Sequence, residues 1–102
     1  MGFSFGGADD CRLEVDRYVN NGRLCVSVSS PSMGPMARLT TNLPQYRLGC
    51  RDDAFVDTNN VPDAPELIER LGIGKPLGAY GLSGRCRYPV YRFDLEKVRE
   101  YT

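Results

Sequence analysis

The sequence predicts an α+β domain built on a mostly antiparallel sheet of about five strands. The order is β-β-β-β-α-β-α, with one helix packed on one face and a short C-terminal helix. Three observations lead there. CRLEVDRYV and RLCVSVSS alternate apolar and polar residues on either side of Asn20-Asn21-Gly22, the pattern of a β-hairpin. Ala64, Leu67, Ile68 and Leu71 recur at i, i+3, i+4 and i+7, which is one stripe of a helix. RCRYPVYRF, rich in aromatic residues, supplies a strand after that helix.

Taken in order, the hairpin comes first. Asn-Gly is the strongest short signal for a type I′ turn, so Asn21 and Gly22 form the loop. Val19 then faces Leu24, Arg17 faces Val26, and Val15 faces Val28. Val15, Val19, Leu24, Val26 and Val28 share the inward side, and Glu14, Asp16, Ser27 and Ser29 the outward one. SPSMGP reads as a loop, MARLTTNL as a third strand ended by Pro44, and PQYRLGCRDD as a second connection. DAFVD is a short fourth strand with Phe55 or Val56 inward.

The helix has Asp63 as N-cap, Pro65 in its first turn and Gly72 as a left-handed stop. It is too short to persist without packing on the sheet. GKPLGAYGLSG reads as a loop. Pro89 puts the fifth strand at an edge or marks a bulge. Asp94 caps a last helix, DLEKVREY, with Leu95, Val98 and Tyr101 on one side. Residues 1–10 read as a flexible leader and 11–102 as a single domain.

Composition narrows the class. With 41% hydrophobic and 25% charged residues the chain is globular, not disordered. No apolar run approaches the roughly 20 residues of a membrane span, and MGFSFGGADD has no basic segment leading into an apolar one, so a cytoplasmic location is expected. Thirteen basic residues balance thirteen acidic ones, which removes bulk charge as a drive toward nucleic acid or membrane. Arginine outnumbers lysine eleven to two, a bias that suits contact surfaces and that a GC-rich genome produces equally.

Catalytic and metal patterns find little support. There is no histidine, so no Ser-His, Cys-His or His-metal arrangement can be assembled. AYGLSGR has Arg85 where a nucleophile elbow needs glycine, and GIGKPLG places Pro76 where a phosphate loop needs Ser or Thr. DTNNVPD lacks the central glycine and closing glutamate of a calcium loop. Cys11, Cys25, Cys50 and Cys86 are separated by 13, 24 and 35 residues, with none of the close pairs a zinc site uses. Free thiols are expected, with no metal and no cofactor.

Charge is uneven along the chain. Between Arg70 and Asp94 there is no acidic residue, while Lys75, Arg85, Arg87 and Arg92 interleave with Tyr80, Tyr88 and Tyr91. Such a mixture serves protein hot spots or tracks a nucleic-acid backbone, and it equally describes an amphipathic edge strand. Residues 52–69 hold Asp52, Asp53, Asp57, Asp63, Glu66 and Glu69 against no base. The candidate partner-binding residues are therefore Arg85, Arg87, Tyr88 and Arg92 on one side and Asp52 and Asp53 on the other. FVDTNN ends a strand in residues that hydrogen-bond their own backbone. Asp57, Asn59 and Asn60 are expected to form a structural polar network at the strand–helix joint.

The words FVDTNN, LGIGKP and SGRCRYPVYRFDL, in that order over residues 39–98, resemble an uncharacterised family of small bacterial proteins. The family is a domain of unknown function carried on conjugative and other mobile elements, with no established catalytic residues. The resemblance implies a non-enzymatic binding or inhibitor protein of anti-CRISPR type, blocking a host defence nuclease such as a CRISPR effector through protein–protein contact. The alternative is a nucleic-acid-binding accessory protein of a conjugative element that uses the Arg/Tyr-rich strand.

Overall fold

A computed structural model describes residues 1–102 as an α+β fold with two four-stranded antiparallel sheets and two short helices. The first sheet has the order β1 (Phe3–Phe5), β2 (Ala8–Arg17), β3 (Leu24–Ser30), β4 (Gly34–Arg38). The second has the order β5 (Thr40–Thr41), β6 (Asp53–Val56), β8 (Cys86–Phe93), β7 (Gly74–Ser83). Helix α1 (Ala64–Leu71) links β6 to β7, and α2 (Leu95–Arg99) follows β8. No helix is long and apolar enough to cross a membrane.

Eight strands in two sheets replace the single five-stranded sheet for three local reasons. The expected leader carries β1, which pairs with β2 and packs Phe3 edge-on against Tyr101 at 5.7 Å. The expected third strand breaks at Leu39. Its N–H donates to Val26 in the first sheet (2.9 Å), and its carbonyl accepts from Asp57 N–H just after β6 in the second (2.8 Å). One residue thus closes the ladder of both sheets, with its side chain fully buried. The expected loop GKPLGAYGLSG is strand β7, which pairs with β8 along its length except for a bulge between Pro76 and Tyr80. Pro89 lies opposite Tyr80, next to that bulge.

The β2–β3 hairpin forms with a different turn. Arg17 faces Leu24, Val15 faces Val26 and Leu13 faces Val28, two residues away from the register an Asn-Gly turn imposes. Only Gly22 has positive φ, and its N–H closes a wider turn on the Tyr18 carbonyl. A type I′ turn needs both central residues left-handed. The asparagines are used otherwise: Asn21 accepts from Arg23 N–H (3.1 Å) and donates to Asn42 Oδ1 (3.0 Å). A slip of two keeps every side chain on its face, so Leu24, Val26 and Val28 are buried as expected. Val15, expected inward, is 40% exposed, and Val19 falls in the turn and is wholly exposed.

The helices follow their sequence signals. The stripe Ala64, Leu67, Ile68 and Leu71 is buried, and Gly72 ends α1 at φ 67°. Asp63 occupies the N-cap position without a side-chain bond, whereas Asp94 accepts from Glu96 and Lys97 N–H at the start of α2. The main core lies under these helices and includes Leu13, Val26, Leu39, Val56, Ile68 and Phe93. A second, smaller cluster of Leu43, Phe55 and Val90 covers the opposite face of the second sheet, with Tyr46 and Tyr88 beside it. Both Phe55 and Val56 are therefore inward, each toward its own cluster.

Candidate functional site

Strand period decides which candidate residues can act together. In β8, Arg87, Pro89, Tyr91 and Phe93 share one face, and Cys86, Tyr88, Val90 and Arg92 the other. Tyr91 and Phe93 belong to the main core and Val90 to the smaller cluster. Arg87 and Tyr88 consequently point to opposite sides of the sheet.

The β7–β8 hairpin projects past the rest of its sheet. β6 pairs with β8 only from Arg92 to Val90, whereas β7 stays paired out to Ser83 opposite Cys86. Gly84 and Arg85 make the connecting turn, and Gly84 has the positive φ that a type II′ turn requires first. Beyond the end of β6 the Arg87 face is exposed. Tyr80 is 50% exposed and Leu82 59%. The Arg87 guanidinium stands 4.3 Å from the Tyr80 ring centroid, a cation–π contact across the strands. Exposed Arg85 closes the tip. A cationic, aromatic and aliphatic surface is thus assembled from alternate residues of two strands.

The opposite side is tied into the fold. Tyr88 is half-buried beside the smaller cluster, and its hydroxyl is held above the usual phenol range by hydrogen bonding to Cys86 and then by burial. On the Arg87 face, further along β8, Tyr91 is raised by burial first, then by Glu69 and Tyr80. Gly81 leaves room for the Phe55 ring, since a Cβ there would stand 2.6 Å from Phe55 Cε1. Tyr46 covers the β7 edge: its hydroxyl accepts from Leu82 N–H (2.9 Å) and donates to Leu82 O (3.2 Å).

Arg92 and Asp53 stand opposite each other in the β8–β6 ladder and form a bidentate pair at 2.7 and 3.1 Å. Asp53 is only 3% exposed, so its charge is consumed inside the molecule. Asp52 lies 3.9 Å from Arg17. Asp53 is therefore paired with Arg92 inside the second sheet, while the Asp52 side chain stays 40% exposed. Arg92→Leu leaves Asp53 as a buried carboxylate without its cation, which lowers stability at neutral pH. Urea unfolding of the variant beside the intact chain at neutral pH checks it.

The strand–helix joint is a real network with a changed membership. Asp57 is buried and accepts from Asn60 N–H (3.1 Å) and Asn60 Nδ2 (2.9 Å), while Val61 N–H donates to Asp57 O. Asn59 is exposed and takes no part. Asp57→Ala should cost about 1–2 kcal/mol, and Asn59→Ala less than about 0.5 kcal/mol, in denaturant midpoints.

Of the sequence candidates, the structure gathers Arg85 and Arg87 and separates Tyr88, Arg92, Asp52 and Asp53 from them. Leu82 was missed. Its signal was the alternation Tyr80-x-Leu82, hidden among the glycines of a segment that reads as a loop. No curated protein and no solved structure matches the chain. Residues 12–102, from β2 through α2 and including the projecting hairpin, match the model of the family described as a domain of unknown function (DUF4313), and the chain belongs to that family.

Proposed function

We propose that this chain is a non-enzymatic binding protein that inhibits a host defence nuclease of CRISPR-effector type through protein–protein contact, as cargo of a mobile genetic element. The observation that carries the contact surface is the projecting β7–β8 hairpin, where Arg87 stacks on Tyr80 beside exposed Leu82. Arginine and tyrosine dominate the energetics of protein interfaces, because each combines a large apolar area with directional hydrogen bonding. No acidic side chain lies between Arg70 and Asp94, so the hairpin suits an acidic rim on its partner.

Direct nucleic-acid binding by the whole Arg/Tyr-rich strand is less well supported. Arg92 is neutralised by Asp53, and Tyr88 faces away from Arg87. The inhibitor reading is tested by expressing the chain in cells that carry an active CRISPR system and scoring plasmid interference. Restored plasmid transformation together with co-purification of an effector subunit is the expected result. Unchanged interference across effector types, with no effector retained on the immobilised chain, counts against it.

A further inference from the structure

A second basic surface lies away from the hairpin, and sequence reading did not assemble it because its residues come from two distant segments. The β2–β3 turn and the loop before β6 face each other across an open cleft of about 500 Å³. Arg23 comes from the turn side; Arg47 and Arg51 come from the loop side. Arg17 fastens the two walls together, donating through Nη1 to Arg51 O (2.7 Å) and Gly22 O (3.4 Å). Arg23 is fixed by donating to the Leu43 carbonyl (2.6 Å) and to the Tyr46 carbonyl. The walls are thus held before any ligand arrives, which reduces the ordering cost of binding.

The charge of this cleft is uncompensated. The ion pairs of the molecule are Arg17–Asp52, Arg92–Asp53 and Lys97–Glu100, so Arg23, Arg47 and Arg51 have no carboxylate partner. Asp53 is the acidic residue lining the cleft, and Arg92 already holds it in a bidentate pair.

We infer that this cleft, lined by Arg23, Arg47 and Arg51, is a binding site for a phosphate-bearing ligand. Guanidinium forks match phosphate oxygens, and three of them offer more donors than one carboxylate can accept. No aromatic ring lines the cleft, so recognition is of phosphate and not of a base. The site is independent of the hairpin contact and stands or falls separately from the inhibitor reading.

The test is a low-salt titration of the isotope-labelled chain, followed by backbone NMR, with three probes. These are inorganic pyrophosphate, a single-stranded oligonucleotide of about 12 nucleotides and a glutamate-rich peptide. Saturable shifts over residues 47–51 are expected with a phosphate probe, weakened about tenfold or more by Arg47→Glu with Arg51→Glu. Neither side chain makes a hydrogen bond or ion pair within the molecule, so the double variant should keep its unfolding midpoint. Arg85→Glu with Arg87→Glu should leave the titration unchanged. Saturation by pyrophosphate supports a free phosphate compound as ligand, and saturation by the oligonucleotide alone supports a strand backbone. The inference is overturned by no saturable shift with either phosphate probe, by equal affinity in the Arg47/Arg51 variant, or by saturation with the peptide alone.

Discussion

Phe55→Ala should destabilise the chain by about 3–5 kcal/mol, the cost of deleting a buried aromatic ring that the surroundings cannot replace. Phe55 is nearly fully buried, between Leu43 and Val90, with Tyr46 at a ring-centroid distance of 5.7 Å. The same ring explains a glycine. Gly81→Ala places a methyl 2.6 Å from Phe55 Cε1 and 2.8 Å from Leu43 Cδ1, which should cost about 1–3 kcal/mol as overpacking. The two changes are coupled: the space opened by Phe55→Ala accepts the new methyl. A double-mutant cycle in urea should show Gly81→Ala nearly neutral, or even stabilising, in the Phe55→Ala background. Strict additivity would mean that the smaller cluster is not packed as described.

Leu39→Ala should cost about 2–5 kcal/mol, and its effect should reach both sheets. The side chain is fully buried, while the backbone of the same residue bonds Val26 on one side and Asp57 on the other. The cavity therefore opens where the two ladders meet. Hydrogen exchange should speed up for Asp57 N–H and for the Leu39 amide itself, more than for amides in the middle of β2. A loss of stability with no change at Asp57 would separate the side chain from the joint.

Much of this architecture was legible in local patterns, and the misses have specific physical causes. The helix stripe, the Gly72 stop, the Asp94 cap and the inward valines of β3 follow from periodicity and capping alone. The hairpin register differs by two, and its asparagines are engaged elsewhere: Asn21 accepts from Arg23 N–H, and both bond to Asn42, an interaction between distant segments that a turn rule does not contain. MARLTTNL is a continuous extended pattern, and nothing in it reveals that its halves join different sheets at Leu39. Strand β7 was hidden because an edge strand with a bulge tolerates Gly and Pro that a central strand does not. The interleaving of Arg and Tyr was visible, and strand period already implied that Arg87 and Tyr88 part company. The pairing of Arg92 with Asp53 needed the β6–β8 register, and the arginine cleft needed the meeting of residues 17–23 with 47–51.

The proposed contact surface assigns different work to two sets of arginines. Arg85 and Arg87 are free to engage a partner, while Arg92 holds the sheet together. Charge reversal at the first pair should leave folding intact, because surface changes of this kind usually alter stability by less than about 0.5 kcal/mol. The most direct measurement is plasmid interference by the intact chain and by a Tyr80→Ala, Leu82→Ser, Arg87→Glu variant, with unfolding midpoints and expression matched. The intact chain should suppress interference and retain an effector subunit, and the folded variant should do neither. A folded variant that inhibits as well as the intact chain would contradict it.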